Sequence, residues 1–536
     1  MDPTPIAASP PAMITLAAMA DEPALDGNKL LVDAPPRTDS PQGTASGYTS
    51  SEADSTDAPS AVASDMKGKT LRELIAPRFW STVVLAALAA SAPLVMSTTV
   101  IIVALHRLFF RTSAVPWNGK TAIISGGKMT KAFIVAKALK KQGCRVVLVE
   151  TSKYWMVASR FSNAVDRFVT VPIPEKHPEA HLAAVAKLAE EEKADLYVPV
   201  TSPVASQYES RLHEVLPPRC FCWSLPSDQC CMLDDKVVFC NSAAELGLSV
   251  PASHRICSHD DVRAFNEKLH AERAAHPQGK HEKFIFKNLQ YDSMHRLDLF
   301  TLPCAPAKLD AYLADIFIDE ANPWTVQTFI TGDEYCGGGV FKDGKILAFA
   351  DNEASISCFN YEPARLPKIR AWLETYVSAR KLSGIACFDF IVEADGTPYA
   401  IECNPRASSN LATFYNSPGL GAVLCNPHEP PYENAVEPLP SVVETYWLFS
   451  EAMGAVQAIR QAGVAKAPYV AAQRAAALLS TVLLKKDAYF TYDDPLPFLA
   501  LLYVHIPVLL LRNLVTGNKW AKIDPCIGKM TEENGD

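Results

Sequence analysis

The stretch ACFDFIVEADGTPYAIECNP, residues 386–405, leaves the chain little local choice. Two apolar runs flank Asp395-Gly396, a dipeptide that signals a tight β-hairpin. With those two residues as the loop, Ala394 pairs with Thr397, and counting outward sets Asp389 opposite Glu402. Side chains of a strand alternate between faces, so Glu402, Asn404 and Arg406 share one face while Ile401 and Cys403 point into the other. Phe388, Phe390, Ile401 and Cys403 demand burial on that second face. Paired Cβ atoms lie about 5 Å apart, so two facing carboxylates repel. Either one takes up a proton or a cation sits between them. Asn404 adds a neutral oxygen, and few protein oxygens with room for phosphate and water describe magnesium better than calcium. Arg406 continues the row as a cation for a transferring phosphoryl group.

A magnesium nucleotide also needs cations for its phosphates and a slot for its base. KFIFKNL places Lys287 in an aromatic-rich strand, where an unpaired ammonium is costly and a phosphate would pair it; a lysine snorkelling from a strand end is the plainer reading. MLDDKVVF offers Lys236 after two acids, at a helix start. WTVQTFITGDEY reads as strand, glycine turn and acid. Gln327, Phe329 and Ile330 there would line an adenine slot, with backbone groups reading the base edge and Glu334 accepting from ribose hydroxyls.

The remaining chain divides by composition. Residues 1–70 are rich in Pro, Ser, Thr, Ala and Asp, which cannot bury enough apolar surface to order the backbone, so disorder is expected. No basic region precedes the weak apolar patch MITLAAMA, and no cleaved signal peptide is expected. Phe79–Leu105 carries no charge and is long enough to cross a bilayer. It lies in an expected anchor, residues 71–112, contacting membrane lipid through 79–105. Basic residues on both sides and Pro93 near the middle leave a single span and a re-entrant hairpin bent at Pro93 both open.

From 113 to 225 short apolar runs alternate with helical stretches, as in a Rossmann-like parallel sheet. SGGKMTK is not GxGxxG; a glycine turn into a helix start, with Lys128 in it, suits either an anionic substrate group or plain turn chemistry. Residues 226–430 read as α+β and 431–536 as helix-rich, with Leu496–Leu511 a packed or interfacial helix. The net charge of -9 gives no footprint for nucleic acid. Fourteen scattered cysteines suit a reducing compartment, with the catalytic part facing the cytosol. Cys220, Cys222, Cys230 and Cys231 lack zinc spacing and read as buried thiols before a metal site.

Order and spacing together, lysine, lysine, QTFITGDE, then D…ECN, resemble the ATP-grasp ligases. At finer grain SGGKMTKA, KYWMVASRFSNAVDRF, YVPVTSPVASQYES, MLDDKVVF, QYDSMHRLDL and IECNPRASS resemble the mycosporine-glycine synthetase branch, closely over about 118–420 and loosely beyond. The resemblance implies α/β plus α+β architecture: a Rossmann-like pre-ATP-grasp domain, an ATP-grasp fold, an N-terminal transmembrane or re-entrant helix and a helix-rich C-terminal region. It implies ATP and Mg2+, with Mn2+ as a substitute, Lys236 and Lys287 on phosphates, Glu334 on ribose, and Asp389, Glu402 and Asn404 on the metal. Lys287 and Arg406 would be catalytic. The implied substrates are 4-deoxygadusol and glycine or another small amino acid, with Lys128, Tyr154, Arg160, Ser162, Asn163, Ser202 and Ser206 as candidate contacts. A homodimer is left open. Two departures matter: Cys387 stands where many members carry arginine, with Arg406 as the replacement cation, and NLQYDSMHR replaces a glycine-rich phosphate loop. No biotinyl-lysine segment is present.

Overall fold

The computed structural model describes residues 71–110, 115–200, 205–276, 282–289, 298–354 and 360–532, with residues 71–77 described in backbone only. The expected leader, 1–70, lies outside the described residues. The chain opens with helix α1 (Leu71–Phe109), which is continuous through Pro93. The hairpin bent at Pro93 is therefore corrected. A lone proline removes one backbone donor, and the apolar residues on both sides keep the helix going.

β1 (Thr121–Ile124), α2 (Thr130–Lys140), β2 (Arg145–Thr151), β3 (Arg167–Val171), α3 (Pro178–Glu191), β4 (Leu196–Val198) and β5 (Phe221–Cys222) follow. The five strands form a parallel sheet in the order β3-β2-β1-β4-β5. Such a sheet is covered on both faces, which explains the unbroken apolar runs of β1 and β2 read in the sequence.

After helices α4 (Ser227–Asp234) and α5 (Lys236–Ala244) come two antiparallel sheets. The smaller holds β6 (Ser253–Ile256), β7 (Phe284–Asn288), β8 (Thr301–Leu302) and β9 (Trp324–Thr328), in the order β6-β9-β7-β8. Helices α6 (His259–Ala275) and α7 (Pro306–Leu313) give it a core of its own around Leu269, Leu309, Trp324 and Val326. The larger holds β10 (Asp333–Lys342), β11 (Lys345–Glu353), β12 (Gly384–Val392) and β13 (Pro398–Asn404), in the order β11-β10-β12-β13. Part of it packs on α5 and α8 (Pro367–Arg380) through Phe239, Trp372, Tyr376 and Phe388. Val340, Ala348 and Ile385 join it to the parallel sheet and α9 (Pro418–Cys425).

The C-terminal region is not helices alone. It contains the two-residue strands β14 (Thr445–Tyr446) and β15 (Lys486–Asp487), helices α10 (Leu448–Gln461), α11 (Gly463–Leu484) and α12 (Leu496–Thr516), and the hairpin β16 (Trp520–Asp524) and β17 (Lys529–Glu532). Tyr489, Phe498, Leu501 and Ile506 bury against Phe133 and Tyr154 of the parallel-sheet domain. As expected from its sequence, α12 is packed along one side.

Candidate active site

The β12–β13 hairpin sets the register of the acidic row. Asp389 pairs directly with Glu402, as counting from the turn requires, but two local departures cancel to give that result. The loop has three residues rather than two: Glu393 N donates to Thr397 O (3.0 Å), Gly396 N donates to Glu393 O (2.8 Å), and Gly396 sits at φ +80°. A loop with glycine in the left-handed position is the next-commonest hairpin type. It pairs Val392 with Pro398 and Phe390 with Ala400, and the register then shifts by one at Ile401. A bulge of this kind turns two adjacent residues toward one side. Ile401 is accordingly half-buried and absent from the core that holds Ala400 and Cys403, correcting its expected place beside Cys403.

Asn404 Nδ2 donates to Asp389 Oδ2 at 2.8 Å. Lys236 Nζ lies 3.2 Å from Glu402 Oε2. It is placed there because Asp235 caps α5, its side chain accepting from Val237 N and Val238 N. The Lys236 ammonium, aided by Lys287, holds the Glu402 carboxyl down to about 2. Burial and then the Glu402 charge push Asp389 well above the usual carboxylate range. The two opposed carboxyls are thus driven apart, Glu402 downward and Asp389 upward, as expected where facing carboxylates share one site. Burial lowers the Lys287 ammonium while Glu402 and Glu334 oppose that shift, so β7 delivers Lys287 to the same group. Glu334 is open to solvent at the start of β10, and its carboxyl is raised by partial desolvation from the surrounding protein atoms and by the Glu402 charge. Arg406 is half-buried, and Asp234, Asp389 and Glu402 supply the charges that counter its desolvation.

Cys336 was missed from the sequence. It pairs with Asp389 across β10 and β12, and the two Sγ atoms of Cys336 and Cys387 and an Asp389 oxygen lie within 4.8 Å of one another. The signal was available in principle, since β10 precedes β12 as a strand, but its register cannot be counted through α8. The cysteines singled out earlier are different: Cys220, Cys222 and Cys230 are buried thiols, with Cys220 pushed up to about 12 by burial, and Cys231 is exposed.

The β9 segment needs correction. Gln327 is 1% exposed, and its Nε2 donates to Ser253 Oγ and to Ile401 O, each at 3.1 Å. Its side chain ties the small sheet to β13 instead of facing a slot. Thr328 N and Phe329 N donate to Ala252 O and Lys283 O, so these amides are already engaged. The Phe329 ring is exposed and Ile330 is half-buried. A Cβ on Gly332 would come within 2.1 Å of Val392 O, so the turn into β10 passes too close to β12 for any side chain.

In the parallel-sheet domain the glycine turn is filled by the protein itself. Gly127 N donates to Val149 O, Lys128 N to Glu150 Oε2 and Thr130 N to Cys526 O, all at 2.9–3.1 Å. Gly528, at φ +66°, brings the β16–β17 turn against Lys128, where a Cβ would meet the Lys128 carbonyl at 2.1 Å. Turn chemistry and this C-terminal cap account for the helix start, and the anion alternative is not supported there. Lys128 Nζ stacks on the buried Tyr154 ring (4.2 Å). Ser162 Oγ donates to Asp494 Oδ2 (2.5 Å), Asn163 Nδ2 donates to Asp493 O (2.8 Å), and Arg160 packs over Phe168. Ser162 and Asn163 therefore join two regions of the chain. Ser206 is buried on a short helix. Ser202 and most of NLQYDSMHR lie outside the described residues.

Lys131, three residues after Lys128 and not singled out in the sequence, is 6% exposed and donates to Ala407 O at 2.5 Å. Burial and the neighbouring Arg406 lower its ammonium to about 7. Its partner is 276 residues away in the chain, which no local pattern announces.

No protein-family model matches the sequence, and no curated protein gives a significant match. Among solved structures, an N5-carboxyaminoimidazole ribonucleotide synthetase in its ADP complex is 15% identical, with a TM-score of 0.41 over 56% of this chain and 73% of that one. An L-amino acid ligase from Bacillus licheniformis is 18% identical, with a TM-score of 0.41 over 58% and 75%. The biotin carboxylase domain of a single-chain bacterial carboxylase is 14% identical, with a TM-score of 0.43 over 61% and 73%. Similarity at this level is too weak to carry function, which has to be argued from the residues.

Proposed function

We propose that the chain is an ATP-dependent carbon–nitrogen ligase of the ATP-grasp type. One observation carries this reading: Lys236, at the start of α5, lies 3.2 Å from Glu402, which pairs directly with Asp389 on the larger sheet, and Lys287 of the smaller sheet is near enough for both acids to act on its charge. Two cations from one side and a row of oxygens from the other is the charge pattern a magnesium triphosphate requires.

The donor set fits the ion. Asp389 and Glu402 are opposed, and the Asn404 amide adjoins Asp389 at 2.8 Å. These three residues would hold Mg2+, with Mn2+ as a substitute. Bound ATP–Mg2+ would supply the phosphoryl group. Lys236 and Lys287 would hold its phosphates, and Glu334, at the exposed start of β10, would accept from ribose hydroxyls. Arg406 would bear charge that develops on the transferring group.

For the acceptor we carry forward 4-deoxygadusol, with glycine as the amine. The support is the sequence resemblance over about 118–420. The chemistry is consistent: the cyclic enol conjugated to a ketone is a vinylogous acid. Transfer of the terminal phosphoryl group to its enol oxygen makes phosphate the leaving group. The glycine amine then adds at that carbon, phosphate departs, and the amine gives up a proton. The products are an enaminone, ADP and phosphate.

The test is an activity matrix with the full chain, ATP, Mg2+, several amines, and either deoxygadusol or ordinary carboxylic acids. The proposal expects ADP release and a new near-ultraviolet absorbance with deoxygadusol plus glycine. ADP release only with carboxylic acids would replace that substrate by a generic carboxylate–amine coupling. Nucleotide binding without ADP release under any pairing would reject the ligase reading.

A further inference from the structure

Helix α1 does not project from the molecule as a solitary anchor. Arg78 Nε donates to Leu514 O (3.1 Å), Ser81 Oγ to Asn513 Oδ1 (2.8 Å), and Ser91 Oγ lies 3.3 Å from Tyr503 Oη. Near its far end, His106 stacks on Tyr492 with ring centroids 4.5 Å apart. At about 1.5 Å per residue, the three ties to α12 fasten α1 alongside it over roughly 20 Å, and the His106 contact with Tyr492, just before α12, extends the attachment along α1 to roughly 40 Å. The other side of α12 is in the core with Phe133, Tyr154 and Tyr489. The α10–α11 hairpin joins the same region, with the Arg460 guanidinium 4.2 Å from the centre of the Trp80 ring.

The outward sides of these helices are apolar and open. Leu94 and Ile101 on α1, Leu479 and Leu483 on α11, and Leu511 and Val515 on α12 are between 52% and 73% exposed. No residue of α11 is buried. Arg78–Phe109, Gly463–Leu484 and Leu496–Thr516 are each long and apolar enough to cross a membrane. Their charge is one-sided. They carry Arg78, Arg107, Lys466, Arg474 and Arg512 and no acidic residue, in a chain whose 59 acids outnumber its 50 basic residues.

We infer that α1, α11 and α12 together form a monotopic docking surface for an anionic lipid leaflet, with α1 lying in the interface instead of crossing the bilayer. Two physical arguments select this occupant and this orientation. A second copy meeting the surface symmetrically would set basic residues against basic residues with no acid on these three apolar stretches to pair them. An anionic leaflet complements the four that are exposed, Arg107, Lys466, Arg474 and Arg512, while Arg78 is held by Leu514 O. A crossing by α1 would carry α12 and its neighbours with it. That would draw the Lys137–Asp493 ion pair (2.9 Å) and the buried Asp494 toward hydrocarbon, where charged groups are costly. Helices that lie in the interface keep such groups on the aqueous side. This inference does not rest on the ligase reading.

The experiment uses the purified full chain with sealed phosphatidylcholine vesicles, with and without phosphatidylserine. Co-sedimentation should be at least about fivefold stronger with phosphatidylserine, as expected for several basic residues near the surface. The double variant Leu479→Glu and Leu483→Glu should weaken binding at least about tenfold, because α11 would be in contact with lipid. Topology is read with Phe79→Cys and Phe109→Cys, an impermeant maleimide, and peptide mass spectrometry. Both positions labelled from outside supports the in-plane arrangement. Labelling of one position only means a span and overturns it. Equal binding by the α11 double variant, no preference for phosphatidylserine, or a stable dimer that stays off vesicles would each overturn it as well.

Discussion

Lys236 Nζ and Glu402 Oε2 stand 3.2 Å apart, an ammonium at the first turn of α5 against a carboxylate on β13. The contact lets Glu402 stay ionised beside Asp389. Glu402→Gln removes that charge while keeping nearly the same shape. On the ligase reading, ADP release should fall by about a hundredfold or more, the scale for loss of one charge-stabilising group. The far-ultraviolet circular dichroism spectrum should be unchanged. Near-normal turnover in this variant would take Glu402 out of the site.

The acidic pair was legible because the hairpin signal and strand alternation are local rules. Asp389 met Glu402 in the count only because a longer loop and the Ile401 bulge offset each other, and neither has a signature in composition. The parallel sheet was legible for the same local reason, through apolar runs alternating with amphipathic helices. What was not legible depends on distant partners. Cys526 O caps α2, Ala407 O takes the Lys131 ammonium, and Tyr503 and Tyr492 hold α1 beside α12. An uncharged stretch such as 79–105 announces that water is excluded from part of its surface, but not whether protein or lipid excludes it.

Gln327 separates a ligand from a structural tie. Its amide serves Ser253 Oγ and Ile401 O inside the protein. Gln327→Leu leaves the Ile401 carbonyl without that donor and should cost about 1–3 kcal/mol, read as a lower denaturation midpoint by tryptophan fluorescence. A variant with unchanged stability but much weaker ATP binding would restore Gln327 to the nucleotide slot.

Ser162 poses the same choice on the substrate side. Its hydroxyl donates to the buried Asp494, whose carboxyl is raised by burial and held down in part by this bond. Ser162→Ala should destabilise the protein by about 1–3 kcal/mol and speed proteolytic clipping near residues 485–495. The KM values for both substrates should stay within about twofold, since the hydroxyl faces the C-terminal region. A selective rise in one KM without loss of stability would reverse that assignment.

Lys131 gives a pH dependence whose sign is fixed by burial. Its folded-state value is lowered from 10.5 to about 7. Below pH 7 both folded and unfolded chains carry the charge, and the folded state bears the full cost of desolvating it. Between pH 7 and 10.5 the unfolded chain binds the extra proton, so this residue's contribution makes stability rise with pH in that window. Lys131→Met removes the titrating group and keeps most of the volume. Its stability advantage over the unaltered protein should therefore be largest at pH 6 and shrink by about 3 kcal/mol on going to pH 9. Denaturation midpoints at pH 6, 7, 8 and 9 measure the difference, and parallel curves for the two proteins would show that Lys131 does not titrate in this range. An acceptor anion bound beside Lys131 and Arg406 would favour the ammonium and move the same limb to higher pH, so repeating the series with deoxygadusol tests whether this buried cation faces the substrate.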